Sequence, residues 1–477
     1  MRHALVRLTG LLIVLMLVLS GCNLIAIDPI MQLDEDFAKL EKQYSGVVAS
    51  YDGGEITQAE VMASLNSQYN YMSQLYNMYG ISMTSDVLPD IEQTVVEQAV
   101  KDVAIAGQME SRGLKLDDEK LAEIQSETDE HYQEAYDSFY ENATGETEEV
   151  RAKRTEYDMA VNGYTREGLY NVELASANAE AVEEAVRDEI TEEDVTDEKL
   201  QEAYDAKVAD DEDLYAYNAS SFESAMASDE EIVCWMPEGY RTVKHILVIP
   251  ESDVLTAYSD ARSAYNTAQT NLNDLRVELA TLNSGDAEDE DATEDGADET
   301  EEAPRTAEEI QADIDAAEAG LEPLKADLDK AEADCLANVQ DKLDEIYEKI
   351  DAGDDFNDLI EAYGEDPGMQ NEPTKTRGYY VSANSASWDP SFTTGAMSLE
   401  NVGDVTKTPV VSASGVHIIR YESEVPSGAV ALEDVKDALF EDTLENMKSD
   451  HYTTEEEAWV TALNPVYHID AFKLGDE

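Results

Sequence analysis

The sequence predicts an α+β protein, mostly helical, with a small strand-bearing region near its middle. Three observations point there. Apolar residues recur at helical spacing from residue 58 to residue 228. Short β-branched runs bounded by turn residues sit at 47–51, at 241–249 and within 403–419. Between the last two, a pair of helical segments keeps strict heptad spacing on either side of an acidic stretch.

The chain opens with Arg2, His3 and Arg7, then an apolar run from Leu8 to Leu19. A basic start before about a dozen apolar residues is a secretory signal. The run is shorter than the roughly 20 residues that span a bilayer. It ends in Leu19-Ser20-Gly21-Cys22. Small residues ahead of a cysteine resemble the lipobox of bacterial lipoproteins. That resemblance implies a signal peptide over 1–21, lipidation of Cys22, and an anchor on the outer face of a bacterial membrane. Several acyl chains hold stably where one holds weakly.

Residues 22–44 read as a tether ending in a short helix. Val47–Tyr51 is a strand, and Asp52-Gly53-Gly54-Glu55 a turn. Thr57 with Glu60 three residues later is a capping box that opens the helical region. Ile91, Val95, Ala99, Val103, Ala106 and Met109 line one face of a helix over 87–112, with Gly113 as its C-cap. Acidic helices continue over 117–228.

Arg241 to Ile249 is a strand closed by Pro250. Tyr258, Ala261, Tyr265, Ala268, Leu272, Leu275, Leu279 and Leu282 then form one heptad series. Ile310, Ile314, Ala317, Leu321, Leu324, Leu328, Ala331 and Cys335 form another. Joined by a flexible acidic loop, they predict an antiparallel helical hairpin. Pro323 is expected to kink or restart its second arm, and Cys335 to be a buried apolar thiol. Two helices follow over 337–364. Two strands separated by Ser412-Ala413-Ser414-Gly415 lie within 403–419. A helix over 431–462 and a strand over 466–472 close the chain.

Composition narrows the function. Lys and Arg total 31 against 108 Asp and Glu, a net charge of −77 over 477 residues. The segment 286–302 holds eleven acids and no base, which leaves −66 spread elsewhere. A surface this acidic repels nucleic-acid phosphates and anionic lipid headgroups, so no nucleic-acid partner is expected. Besides Cys22 there are two cysteines, Cys234 and Cys335, far apart and outside any Cys/His cluster. We expect no metal site and no cofactor.

Three fragments then align with one family. Lys244-His245-Ile246-Leu247-Val248 resembles the first strand of parvulin-type peptidyl-prolyl isomerases. Gly353-Asp354-Asp355-Phe356, Leu359 and Tyr363-Gly364-Glu365-Asp366 resemble its helical passage. Pro409-Val410 and Ser414-Gly415-Val416-His417-Ile418-Ile419 resemble its last two strands. The resemblance implies a four-stranded antiparallel sheet with helices. It implies a site in which His245 and His417 face each other beside Asp366, with Ser412 and Ser414 in the same network. Trp388, Phe392 and Met397 would bind the proline ring. Two positions depart from the pattern: Arg377 stands where an apolar residue is expected, and the first glycine of the turn at Gly378 is missing.

The flanks resemble the PrsA/SurA foldases, whose helical chaperone domain is built from N- and C-terminal segments around the isomerase domain. By that resemblance 45–235 is the N-terminal helical region and 240–424 the isomerase domain. Residues 251–335 are a hairpin insertion, and 425–477 the segment returning to the helical domain. The implied protein is a membrane-anchored foldase of exported proteins with X–Pro bonds, in a Gram-positive cell. The alternative is a holdase with a degenerate isomerase domain, which Arg377 and the hairpin favour. A transporter's solute-binding lipoprotein is disfavoured, since its two lobes alternate strands and helices.

Overall fold

The computed structural model describes residues 28–475 apart from 146, 229–230 and 285–304. The apolar run of residues 8–19, Cys22 and the acidic segment 286–302 lie outside the described residues. The chain divides into two compact units, 1–194 with 444–477, and 195–443.

The first unit begins with helix α1 (Pro29–Gln43), capped by the Asp28 carboxylate on the Ile30 amide. Strands β1 (Val47–Tyr51) and β2 (Gly54–Thr57) pair antiparallel, so the expected turn is the tip of a hairpin. At Thr57 the capping box closes. The Thr57 amide and hydroxyl both donate to the Glu60 carboxylate at 2.7 Å, and helix α2 (Gln58–Met78) follows. Helix α3 (Leu88–Arg112) ends at Gly113, whose φ of 68° is the left-handed C-cap. Helices α4 (Asp118–Asn142), α5 (Glu148–Val161) and α6 (Arg166–Arg187) complete the run. Val48, Ile56, Val61, Ile91, Val95 and Val100 form one core, and Ile105, Met109, Val182 and Val186 another.

The second unit opens with helices α7 (Asp197–Tyr215) and α8 (Ala219–Ala227) and strand β3 (Trp235–Met236). The sequence grouped this stretch with the N-terminal helices. Here Tyr215 and Phe222 pack on Tyr240, with Phe222 and Tyr240 ring centroids 4.5 Å apart, so the boundary falls at 194/195. Strand β4 (Arg241–Val248) follows, then helices α9 (Ser252–Ser284), α10 (Ala307–Asn338), α11 (Gln340–Ala352), α12 (Phe356–Tyr363) and α13 (Thr374–Arg377). Strand β5 (Tyr379–Val381), helix α14 (Pro390–Met397), strands β6 (Val410–Ser412), β7 (Gly415–Glu424) and β8 (Gly428–Ala429), and helix α15 (Leu432–Ala462) come last.

β4 is the strand around which this unit is built. The antiparallel sheet has the order β5-β4-β7-β6, and all of β4 after Arg241 is buried. A central strand covered on both faces needs apolar residues in succession. Ile246 and Val248 enter one cluster, and Val243 enters another.

α9 and α10 form the expected antiparallel hairpin. Leu272 meets Ile310 and Ile314 toward its far end. Near its base, Tyr258, Ala331 and Cys335 join Ile246, Val411 and Ile418 in the domain core. The base is therefore rooted in the sheet's own hydrophobic cluster. Contrary to expectation, α10 runs through Pro323 without a break. Residue 319, whose carbonyl loses its partner, and Pro323 itself are both exposed, so water meets the freed oxygen.

From residue 444 the chain returns to the first unit. Strand β9 (Val466–Tyr467) pairs with β1. The strand expected over 466–472 stops there and becomes a 3₁₀ turn over Ile469–Gly475. Two contacts favour the turn: Ile469, Ala471 and Phe472 pack on the first core, and the Gln58 amide donates to the Ala471 carbonyl at 3.1 Å.

Candidate active site

β4 and β7 set the two histidines beside each other. Ile419 lies opposite His245 and Leu247 opposite His417, so the imidazoles are diagonal neighbours on one face. Their Nδ1 atoms are 2.9 Å apart. From this pair a hydrogen-bonded chain extends both ways. His245 Nε2 lies 2.7 Å from Asp366 Oδ2, which also accepts from the Tyr379 hydroxyl at 2.9 Å. His417 Nε2 lies 2.6 Å from Ser412 Oγ, which accepts from the Ser414 amide at 3.0 Å.

Proton positions follow from what each partner can do. An ionised Asp366 only accepts, so His245 Nε2 carries a hydrogen. With His245 neutral, its Nδ1 accepts from His417 Nδ1–H. His417 Nε2 is then free to accept from the Ser412 hydroxyl. Every link is satisfied in this arrangement, and equally with a second proton on His245 Nδ1, when His417 Nδ1 accepts and His417 Nε2–H donates to Ser412 Oγ. Burial, then the neighbouring His245, hold His417 far below the usual imidazole range, at about 3. For Asp366, burial pulls upward. The hydrogen bond and charge of His245, with the Gly368 amide, outweigh it and bring the carboxyl down to about 2. Burial and the Asp366 carboxylate push the Tyr379 hydroxyl well above its ordinary value.

An aromatic wall covers the pair. Phe392, 3% exposed, presents itself edgewise to His245 and His417, with centroids at 5.2 and 5.1 Å. Trp388 lies 5.8 Å from Phe392 and 4.5 Å from Tyr379. Its indole N–H donates to the Tyr380 carbonyl at 2.7 Å. Met397 is half-buried in the same cluster.

The structure thus brings together His245, Asp366, His417, Ser412, Trp388, Phe392 and Met397. Ser414 differs: its side chain is exposed, and its amide is what joins the network. Arg377 also differs from expectation. Its guanidinium donates to the Met226 carbonyl and lies 4.7 Å over the Tyr380 ring. Tyr379 and Tyr380 alternate along β5, so Arg377 belongs to the side away from the histidines.

Tyr379 is one residue that sequence reasoning missed. Two glycines make room for it. Gly378 has φ of 85°, and a Cβ there would lie 2.6 Å from the Val243 carbonyl oxygen, where β5 meets β4. A side chain at Gly368 would occupy the place of the Tyr379 hydroxyl. Gly378 directly before two tyrosines was the available signal. Asp389 was also missed: it caps α14 through the Ser391 amide at 2.9 Å, accepts from the Ala413 amide at 3.3 Å, and pairs with Arg262. Cys234 and Cys335 are both free and buried, and burial pushes the Cys234 thiol up to about 11.

Residues 321–423 match a family model described as Rotamase: PPIC-type PPIASE domain. The match begins inside the hairpin and leaves out β4 with His245, which the sheet restores to the domain. No curated protein matches the chain. Similar solved structures include PrsA from Bacillus subtilis, 14% identical over 88% of this chain and 91% of that one, with a TM-score of 0.20. The foldase protein PrsA from Streptococcus pneumoniae is 15% identical over 90% and 97%, at 0.19. PrsA from Bacillus cereus, a peptidylprolyl isomerase, is 15% identical over 91% and 100%, at 0.17. At such scores these likenesses carry no weight beside the domain match and the site geometry.

Proposed function

Because the chain carries a parvulin-type peptidyl-prolyl cis-trans isomerase domain, we propose that it is a foldase tethered outside the cytoplasm. Cys22 would be the lipid anchor, and exported chains with X–Pro bonds the substrates. The observation that carries its isomerase part is the Ser412–His417–His245–Asp366–Tyr379 chain, buried at its two histidines, beside the Phe392 and Trp388 rings; the tether rests on the Leu19–Cys22 sequence alone.

The chemistry needs no nucleophile. An X–Pro bond resists rotation because resonance must be broken, a barrier of ~18–20 kcal/mol. Twisting the amide removes the partial charges that resonance puts on its oxygen and nitrogen. A dry aromatic site therefore favours the twisted amide over the planar one, which water solvates better. At 4% and 3% exposure the imidazoles and Phe392 offer a bound peptide little surface, so the partly buried Trp388, Tyr379 and Met397 are what a proline ring would meet. We take His245 and His417 as positioning residues that fix Phe392, Asp366 and Tyr379. Burial keeps His417 neutral, so that ring adds no charge that would draw water in.

Holding an unfolded chain calls for a different surface. Residues 61–85 contain no charged side chain in a protein of net charge −77. Tyr71, Met78, Tyr79 and Ile81 in that stretch are all more than half exposed. Flexible Met side chains adapt to varied apolar partners, and Tyr supplies contact area at low entropic cost.

The test is cis-to-trans isomerisation of a short proline peptide by the mature protein, with membrane fractionation of wild type and Cys22→Ser. The proposal expects acceleration, and release of the variant from the membrane. No acceleration overturns the isomerase role; a variant that stays bound overturns the anchor.

A further inference from the structure

The hairpin insertion carries a surface that the isomerase site does not account for. An open cavity of about 450 Å³ runs along α9 beside the β6–β7 turn. Ser259, Ser263, Asn266, Thr267, Thr270 and Asn271 line it. None of these six side chains has a hydrogen-bond partner within the protein, among the described residues. On the same helix, Thr256 and Thr281 do bond back to the carbonyls four residues earlier. The lining is also without acid, in a chain with 108 acidic residues.

This cavity shares a wall with the site. Arg262, part of its lining, pairs with Asp389. Asp389 accepts from the Ala413 amide, and Ala413 lines the cavity too. Ser412, next in the chain, bonds to His417. Asp389 also caps the helix that carries Phe392. The Tyr258 hydroxyl donates to the Val411 carbonyl at 3.2 Å, which fixes the base of α9 against β6.

We propose that this face of α9 binds the client polypeptide next to its proline, as an extended segment recognised through its main chain. Hydroxyls and carboxamides both donate and accept, as peptide N–H and C=O groups require. Positions four apart on a helix rise about 6 Å, close to the two-residue repeat of roughly 6.6 Å in an extended chain. The row Ser259–Ser263–Thr267–Asn271 has three such steps, so it spans about 18 Å, the length of five or six extended residues. Main-chain recognition takes many client sequences, and a lining without acid spares an acidic client the repulsion of the rest of the surface. This deepens the foldase proposal and rests on it.

The test uses the mature protein and fluorescent peptides read by anisotropy. One is a short proline tetrapeptide; two others add six neutral residues, on the N-terminal or the C-terminal side. Wild type should bind one extended peptide on the order of tenfold tighter than the short one. Asn266→Glu/Thr270→Glu should bring that peptide back to the short-peptide affinity. Both positions are exposed and helical, so the variant folds. Ala264→Glu/Gln269→Glu, with equal added charge away from the cavity, should keep the gain. Equal affinities for short and extended peptides, or equal losses in the two acidic variants, would overturn the inference. Isomerisation rates taken in parallel keep its failure separate: tight groove-dependent binding without turnover would sink the enzyme and leave the groove standing.

Discussion

Two sets of histidines in this molecule differ in one respect. His245 and His417 are 4% exposed on the central sheet of the isomerase unit. His131 and His451 stand on helices of the other unit, with side chains 53% and 26% exposed. Each of these also has a partner: His131 lies 3.2 Å from Glu173, and His451 3.2 Å from Glu189. Having a partner is therefore not what marks a site. Water is: a polar contact open to solvent is worth little because water competes for both ends. At the buried His245–His417 pair no solvent is there to replace a lost link.

The comparison breaks most visibly at the sheet. His245→Ala/His417→Ala takes one partner from the Asp366 carboxylate, which keeps Tyr379 and the Gly368 amide, and one from the Ser412 hydroxyl, which keeps the Ser414 amide, and it removes the support under Phe392. We expect isomerisation to fall on the order of a hundredfold, as for a misplaced site, while far-ultraviolet circular dichroism keeps its helical signal. A variant as active as wild type would put the buried histidines on a level with the exposed ones.

Acid sharpens the contrast. Folded His417 holds its proton less tightly than the unfolded side chain, so between about pH 6.5 and about 3 the unfolded state binds more protons. The stability it supports is complete above that window and is lost as pH falls through it, by about 1.4 kcal/mol per pH unit. Asp366 adds a second loss, present above its ordinary value of 3.8 and gone as pH falls through about 2. Urea unfolding from pH 7 to 5 should show a steeper loss for wild type than for His417→Gln. Parallel curves would contradict a buried neutral ring. The smallest effect belongs to the surface: His131→Ala and His451→Ala should each shift stability by no more than about 0.5 kcal/mol.

Much of this was legible in the sequence because the signals were side chains in a pattern. Heptads placed α9 and α10, the capping box placed the start of α2, and the fragments around His245, Asp366 and His417 named the site. What escaped was backbone. β2, β3, β5 and β8 are two to four residues long and held by pairing, so no period betrays them. Tyr379 escaped with β5, because its place depends on the close approach of β5 to β4 at Gly378. Arg377 misled for the same reason: which face of β5 it joins is a matter of register. The family match shows the same limit, since an insertion that cuts β4 from its sheet in sequence leaves it central in space.

The central claim is that Ser412, the histidines, Asp366 and Tyr379 act as one unit. It is tested most directly by isomerisation kcat/KM for Ser412→Ala, Tyr379→Phe and the double variant, which alter the two ends of the chain and leave its middle intact. If the network acts as a unit, the double variant loses little more than the worse single one. If the two losses simply multiply, the ends are independent and the account is wrong.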